Sequence, residues 1–393
     1  MLQIKKCLSL DSPELNSLVQ ILNNKHSQAR LIGGCVRDKL LNIEPADIDI
    51  ATTLLPSEVI KLLQEHGIQT IPTGIKYGTV TAVLNSKHFE ITTLRKDVSC
   101  DGRWAKVEFS DSFEQDAQRR DFTINALSYC PINQIIFDYF SGLQDLENHK
   151  VIFIGNANMR IEEDYLRILR FFRFSSYYSD GFDELGLEAC NKYATCLTTL
   201  SQERINSEVD KILLSPKVLP TLDKMQTALL NIFPNLLLDI ASLQRALRME
   251  KNFVALNIDF RYAIVLNGNA YIDWRKLKFS NKRKTIIQQT MDILKLHHEE
   301  LILALKRNWI KNYYAPELTT IALVFGKITE KLASELMLKF KLNPPKFHIT
   351  GHQIQTMGYN GKDISTTLDY LERIWIEKDC SISPQELLSY LPH

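Results

Sequence analysis

Residues 31–52 read LIGGCVRDKLLNIEPADIDIAT, and this stretch decides the fold of the N-terminal part. Gln28 to Ile32 is a short strand that ends in Gly33-Gly34, and Val36 to Leu41 starts a helix. A strand running through a glycine turn into a helix places backbone N–H groups and a helix N-terminus where phosphates bind. Arg37, one turn into that helix, reaches the same phosphates. Asp47 to Ala51 then alternates in strand fashion. Residues two apart in a strand face the same side, so Asp47 and Asp49 project two carboxylates from one face. Like charges that close repel and raise one pKa, and divalent cations relieve this; hard oxygen ligands suit Mg²⁺. Two such ions activate an attacking hydroxyl and stabilise a leaving pyrophosphate. Alone, the glycine pair reads equally as a tight turn and the D-x-D as an edge-strand pattern. Joined in this order, with Arg37-Asp38 between them, they are far more specific.

Outward from this stretch the pattern stays mixed. Ser57 is an N-cap candidate for a helix ending near Gly67. Tyr77 to Leu84 and Phe89 to Leu94 are rich in Thr, Val and Ile, and Asn85-Ser86 between them signals a hairpin. The polar stretch from Lys96 to about Ser110 reads as a mobile loop carrying Asp101-Gly102-Arg103, and 112–130 as a helix. Beyond Asn158 apolar residues recur at helical spacing almost to the C-terminus. The expected architecture is an α/β head, a mixed sheet with helices, followed by an all-helical remainder.

A second constellation lies in EDYLRILRFFRF, Glu163 to Phe174. Asp164 and Arg167 are neighbours on one helical face, and Arg170 and Arg173 continue the stripe. A carboxylate accepts from the exocyclic amino group of cytosine or adenine, and guanidinium donors reach ring acceptors. An intrahelical salt bridge on a solvated face is the plainer reading of the same spacing.

The stretch LIGGCVRDKLLNIEPADIDIAT resembles the first motif of the bacterial tRNA nucleotidyltransferase and poly(A) polymerase family, within the DNA polymerase beta superfamily. RRDFTINALSY (Arg119 to Tyr129) is similar to its second motif, EDYLRILRFFRF to its nucleotide-selecting helix, and SQERINSEVDKIL (Ser201 to Leu213) to the motif after it. ITGHQIQTMGYNGKDI near the C-terminus is a weaker echo. The resemblance implies a class II, CCA-adding enzyme with a nucleotidyltransferase head over 1–150. A helical neck over 151–215 would carry the selecting helix, and a helical body and tail over 216–393 would bind the acceptor arm and 3′ end of tRNA.

It further implies that Gly33, Gly34, Arg37, Arg120 and Asn125 meet the triphosphate and sugar of CTP or ATP, while Asp164 and Arg167 act as a protein template beside Arg170 and Arg173. Asp121 reads as an N-cap or an arginine partner. Glu90, in FEITTLR, is a third carboxylate near the metals or an ordinary strand glutamate, and it stays outside the catalytic set. Phe171 and Phe172 stand where the family usually has smaller residues.

Composition bounds these readings. A chain of 393 residues exceeds what one core usually serves, and 45% hydrophobic with 24% charged residues is ordinary for a folded protein. No apolar run approaches a membrane span and Met1 to Lys6 lack a signal-peptide core, so a cytoplasmic protein with no membrane partner is expected. Seven scattered cysteines without a C-x-x-C pair read as reduced thiols. The net charge of +1 hides a cluster, Arg275, Lys276, Lys278, Lys282, Arg283 and Lys284, that contains no acid and suits tRNA phosphates. A poly(A) polymerase, a CC-only or A-only enzyme and a catalytically silent RNA-binding protein are the competing readings. The absence of any His-Asp dipeptide argues against an appended phosphohydrolase.

Overall fold

The computed structural model describes residues 1–8, 12–23, 28–101, 104–311 and 313–391, with the backbone alone over 97–101 and 104–107. Two compact units divide the chain, Met1–Pro234 and Asn235–His393.

The first unit opens with the strands β1 (Leu2–Lys5), β2 (Ala29–Ile32), β3 (Asp49–Thr52), β4 (Gln69–Gly74), β5 (Thr79–Leu84), β6 (Lys87–Thr93), β7 (Arg95–Asp101), β8 (Trp104–Phe109), β9 (Ser128–Cys130) and β10 (Ile135–Asp138). Eight of them build one mixed sheet in the order β1-β10-β9-β2-β3-β6-β5-β4. Most neighbours are antiparallel; β3 and β6 run parallel, with Asp49 opposite Glu90. The helices Pro13–Leu22 and Pro56–Glu65 cover the sheet with Leu15, Leu18, Leu22, Val59 and Leu63, which pack on Leu31, Ile50, Val80 and Ile91. Full burial of each such side chain contributes about 1.5–3 kcal/mol.

Several local expectations hold and several give way. The Asn85-Ser86 hairpin forms, with both residues at positive φ (48° and 64°) as a tight two-residue turn requires. The helix after the glycine turn starts at Gly34, two residues earlier than expected, and runs to Leu40. The helix expected from Ser57 starts at Pro56 with Leu55 as its cap, because Glu58 reaches back to accept from the Leu55 N–H at 2.7 Å. The stretch expected to be a loop over 96–110 is instead an antiparallel pair, β7 with β8, running from Arg95 opposite Phe109 to Asp101 opposite Trp104. Backbone groups satisfy one another there without an apolar pattern to announce it. Gly102 and Arg103 lie outside the described residues.

The helix expected over 112–130 covers only Phe113–Gln118. A 3₁₀ turn over Thr123–Asn125 follows, and Tyr129 enters the sheet opposite Leu31 in β9. Burial of Tyr129 in the sheet overrides the local helical pattern.

From Ala157 onward the described elements are helical, as expected. The Leu166–Tyr178 helix buries Ile168, Leu169, Phe171, Phe172 and Phe174. Phe171 stacks on Phe153 at 5.4 Å between centroids and touches Phe122 and Phe182. Gly186 makes this packing possible, since a Cβ there would stand 2.9 Å from the Phe171 ring.

The second unit is helical throughout its described elements, from Ile240–Met249 to Pro384–Leu388. One of its apolar clusters gathers Ile349, Ile354, Leu371, Trp375, Ile376, Leu387 and Leu391. No helix among the described residues is long and apolar enough to cross a membrane.

Candidate active site

Asp49 heads β3, and its register partner on β6 is Glu90. Asp47 lies two residues ahead of the strand and is exposed, so of the pair Asp49 alone is a strand residue. Proximity survives the change. Burial holds the Asp49 carboxyl above its usual range, the charge of Glu90 pushes it further and Arg120 pulls it back, while Asp47 adds to the rise. Unsatisfied negative charge on hard oxygen donors is the chemistry that fits a divalent cation. Among the described residues no three His, Cys, Asp or Glu side chains gather closely enough to enclose a metal, so the carboxylates form an open edge. Cys35 lies beside the Asp49 carbonyl, and burial pushes its thiol up to about 11, which keeps it protonated.

The glycine turn faces this edge. Gly33 has φ 72° and ψ −125°, a backbone region for glycine, and a Cβ there would stand 2.7 Å from Arg120 Nη1. Arg120 is thus laid over the turn, donating to the Asn125 carbonyl at 3.3 Å. Asp116, which sequence reasoning passed over, holds it there. Its Oδ2 accepts from Arg120 at 3.3 Å and its Oδ1 from Arg119 at 2.7 Å. Burial pushes Asp116 up, but the two arginines outweigh it and keep it below the usual carboxylate range.

Arg37 is placed differently from the phosphate-reaching arm expected. Its guanidinium donates to Asp38, Asn125 and Tyr178, with the Tyr178 ring 4.1 Å beneath it. Gly34 opens the short helix that carries it. Asn125 accepts from Arg37 and donates to Asp121 at 3.0 Å. Asp121 is an arginine partner, accepting from Arg170 Nε at 2.6 Å. Its burial is offset by Arg170 and by bonds from Asn125 and the Phe122 N–H, so it stays ionised below the usual range.

The helix expected to select the nucleotide also departs from its expected form. Asp164 is not helical (φ −157°, ψ 107°) and sits in the break between Ala157–Glu163 and Leu166–Tyr178. Its Oδ1 accepts from the Leu166 N–H at 3.1 Å, as an aspartate at a helix start does, and its Oδ2 from Arg204 at 2.7 Å. Arg167 pairs with Glu163 rather than Asp164. Arg173 pairs with buried Glu208 at 2.6 Å. Arg204 and Glu208, one turn apart on the Gln202–Leu213 helix, therefore grip Asp164 and Arg173, at the start of the Leu166–Tyr178 helix and within it.

The basic cluster belongs to the second unit. Arg275, Lys276, Lys278 and Lys282 are exposed, and Lys284 is half-buried. Arg283 departs from the stripe: it pairs with Asp259 at 2.7 Å and lies over the Phe279 ring.

Comparison with known proteins places this geometry. Residues 29–152 match the family model for the poly A polymerase head domain, and residues 182–239 that for the probable RNA and SrmB-binding site of polymerase A. The human protein named CCA tRNA nucleotidyltransferase 1, mitochondrial, is 35% identical over 99% of this chain and 92% of its own length. The CCA-adding enzyme of Bacillus cytotoxicus is 31% identical over 68% of each chain. The CCA-adding enzyme of Bacillus stearothermophilus, solved in complex with CTP, superposes with a TM-score of 0.74 at 25% identity over 94% of both chains. With identity at that level along essentially its whole length, the chain belongs to the tRNA nucleotidyltransferase and poly(A) polymerase family, alongside the CCA tRNA nucleotidyltransferases.

Proposed function

We propose that this protein adds C-C-A to the 3′ end of tRNA without a nucleic-acid template, transferring CMP and AMP from CTP and ATP with release of pyrophosphate. The supporting observation is the pairing of Asp49 with Glu90 in register, close to Arg120 over the glycine turn, in a chain with CCA-adding relatives along its length. Within the family we assign it to class II, the class of the bacterial enzymes, on the order of its motifs. Its functional division is a head over 1–150, a neck over 151–215 and a tRNA-binding body and tail over 216–393. We place it in the cytoplasm, consistent with six described cysteines that are all free thiols.

Asp47 and Asp49, with Glu90 beside them, would hold two Mg²⁺ ions. Bound there, the ions supply a Lewis acid for the α-phosphate and lower the pKa of the attacking 3′-hydroxyl. Arg120 brings a fixed positive charge to the triphosphate, and Asp116 keeps that charge from swinging away. Asn125 lies at the sugar side with its amide oriented by Arg37 and Asp121. Asp164 offers an acceptor and Arg167 donors to the base edge, a pattern that suits cytosine and adenine and repels guanine and uracil. Arg170 and Arg173 stiffen the helix behind them through Asp121 and Glu208. The exposed Arg275, Lys276, Lys278 and Lys282, with Lys284, hold tRNA by its phosphates.

The reaction is tested with the full-length protein, a tRNA lacking its 3′ end, CTP and ATP. Extension that stops on chelation, resumes with Mg²⁺ and is lost in the Asp47→Asn/Asp49→Asn double variant is the expected result. Bound tRNA with no extension under any metal would leave a silent RNA-binding protein in its place.

A further inference from the structure

Arg167 has five N–H donors in a fixed fork. Its Nη1 donates to the Arg160 carbonyl at 2.8 Å and to the Glu163 carboxylate, and its Nη2 to the Arg119 carbonyl at 3.2 Å. That leaves the Nε hydrogen and one Nη2 hydrogen, on neighbouring nitrogens of one planar group, without a partner among the described residues. Two adjacent parallel donors match two adjacent acceptors on a flat ring. The N3 and O2 edge of cytosine offers such a pair and adenine N1 accepts one of the two donors, whereas uracil and guanine present a ring N–H at the same place. The hydrogens left open on Arg167 are therefore chosen by whatever occupies the others.

Those occupants are themselves held by one residue. Arg160 Nη1 grips both oxygens of Glu163, at 2.7 and 2.6 Å, and Arg160 Nη2 donates to the carbonyls of Arg119 and Arg120. Two of the three acceptors that fix Arg167, the Glu163 carboxylate and the Arg119 carbonyl, are thus pinned by the same guanidinium, and the third is the backbone carbonyl of Arg160 itself. Without it, Glu163 is a carboxylate 30% exposed and able to change rotamer, and Arg167 keeps the Arg160 carbonyl as its one fixed partner. We propose that Arg160 and Glu163 are positioning residues for base selection: they hold Arg167 by its far side so that one pair of hydrogens faces the incoming nucleotide. This rests on the base-reading role proposed above for Arg167.

The test is equilibrium binding of CTP, ATP, UTP and GTP to the full-length protein, which does not require turnover. Wild type should favour CTP and ATP. Glu163→Gln and Arg160→Ala should each weaken CTP and ATP about tenfold while leaving UTP and GTP unchanged, so that the preference collapses. Arg160→Lys should not restore it, because an ammonium cannot span a carboxylate and two carbonyls. Glu163→Gln on an Arg167→Ala background should lose nothing more. Equal weakening for all four nucleotides, or losses that add in the double variant, would overturn the proposal. Glu163→Gln carries the test if Arg160→Ala melts early. A wild type that selects CTP and ATP yet extends no tRNA would remove the reaction and leave this inference standing. A wild type that binds all four alike overturns it.

Discussion

At Asp49 the fold holds a carboxyl partly out of water between two other acids, and this sets two expectations. A proton binds it more tightly in the folded chain than in the unfolded one. The ionised group therefore opposes folding once the pH rises through its raised pKa, and the opposition is absent below the ordinary Asp value. Asp49→Asn should raise the melting temperature at pH 7, with no gain at pH 3, while abolishing nucleotide transfer. Thermal melts at the two pH values check this. Asp121 has the opposite sign: its stabilisation is present above the ordinary Asp value and fades as the pH falls through its lowered pKa. Asp121→Ala leaves the third-exposed Arg170 without its carboxylate and the buried Asn125 without its acceptor, and should cost about 1–3 kcal/mol in denaturant titrations at neutral pH. Gly33→Ala should cost about 1–3 kcal/mol and displace Arg120, reading out as weaker triphosphate binding.

Single residues were also where sequence spacing was most and least informative. The Gly33-Gly34 turn was legible because its backbone at Gly33 needs glycine, and the strand that Asp49 opens was legible from its alternation. Glu90 was left between two readings, a third carboxylate near the metals or an ordinary strand glutamate, because its nearness to Asp49 arises from the parallel register of β3 and β6, which no local pattern encodes.

On the scale of elements, Phe171 and Gly186 form one unit of packing. The large ring fills space that the missing Cβ of Gly186 leaves open. Gly186→Ala should cost about 1–3 kcal/mol by overpacking. Combined with Phe171→Ala, which alone should cost about 3–5 kcal/mol, the losses should sum to less than the two single effects, because the cavity of one relieves the clash of the other. Chemical denaturation of the four proteins measures the coupling directly. Helices with buried faces, such as Leu166–Tyr178, were legible from their period, but their ends were not. Asp164 breaks the expected helix because it caps Leu166 and pairs with Arg204, forty positions along the chain. Likewise Tyr129 reads locally as helix and is drawn into the sheet by Leu31.

Across the molecule as a whole, the two units differ in the charge they expose at these places. The open acidic edge lies in the first unit, and the exposed basic cluster lies in the second. Replacing Arg275, Lys276, Lys278 and Lys282 with Gln should weaken tRNA binding and lower its salt slope by about 0.7–0.9 for each phosphate no longer neutralised. CTP affinity should not change. Arg283→Gln belongs to a different class, since its partners are Asp259 and the Phe279 ring; it should show as reduced stability with the salt dependence intact. The charge cluster was legible as a run of letters, whereas which of its members face solvent depends on helix packing.

The most direct measurement is the product ladder from a tRNA lacking its 3′ end, resolved one nucleotide at a time with CTP alone, ATP alone and both. Two C residues, then one A, then arrest is the predicted result. Long A tracts with ATP alone, or arrest after two C residues with both nucleotides present, would contradict C-C-A addition.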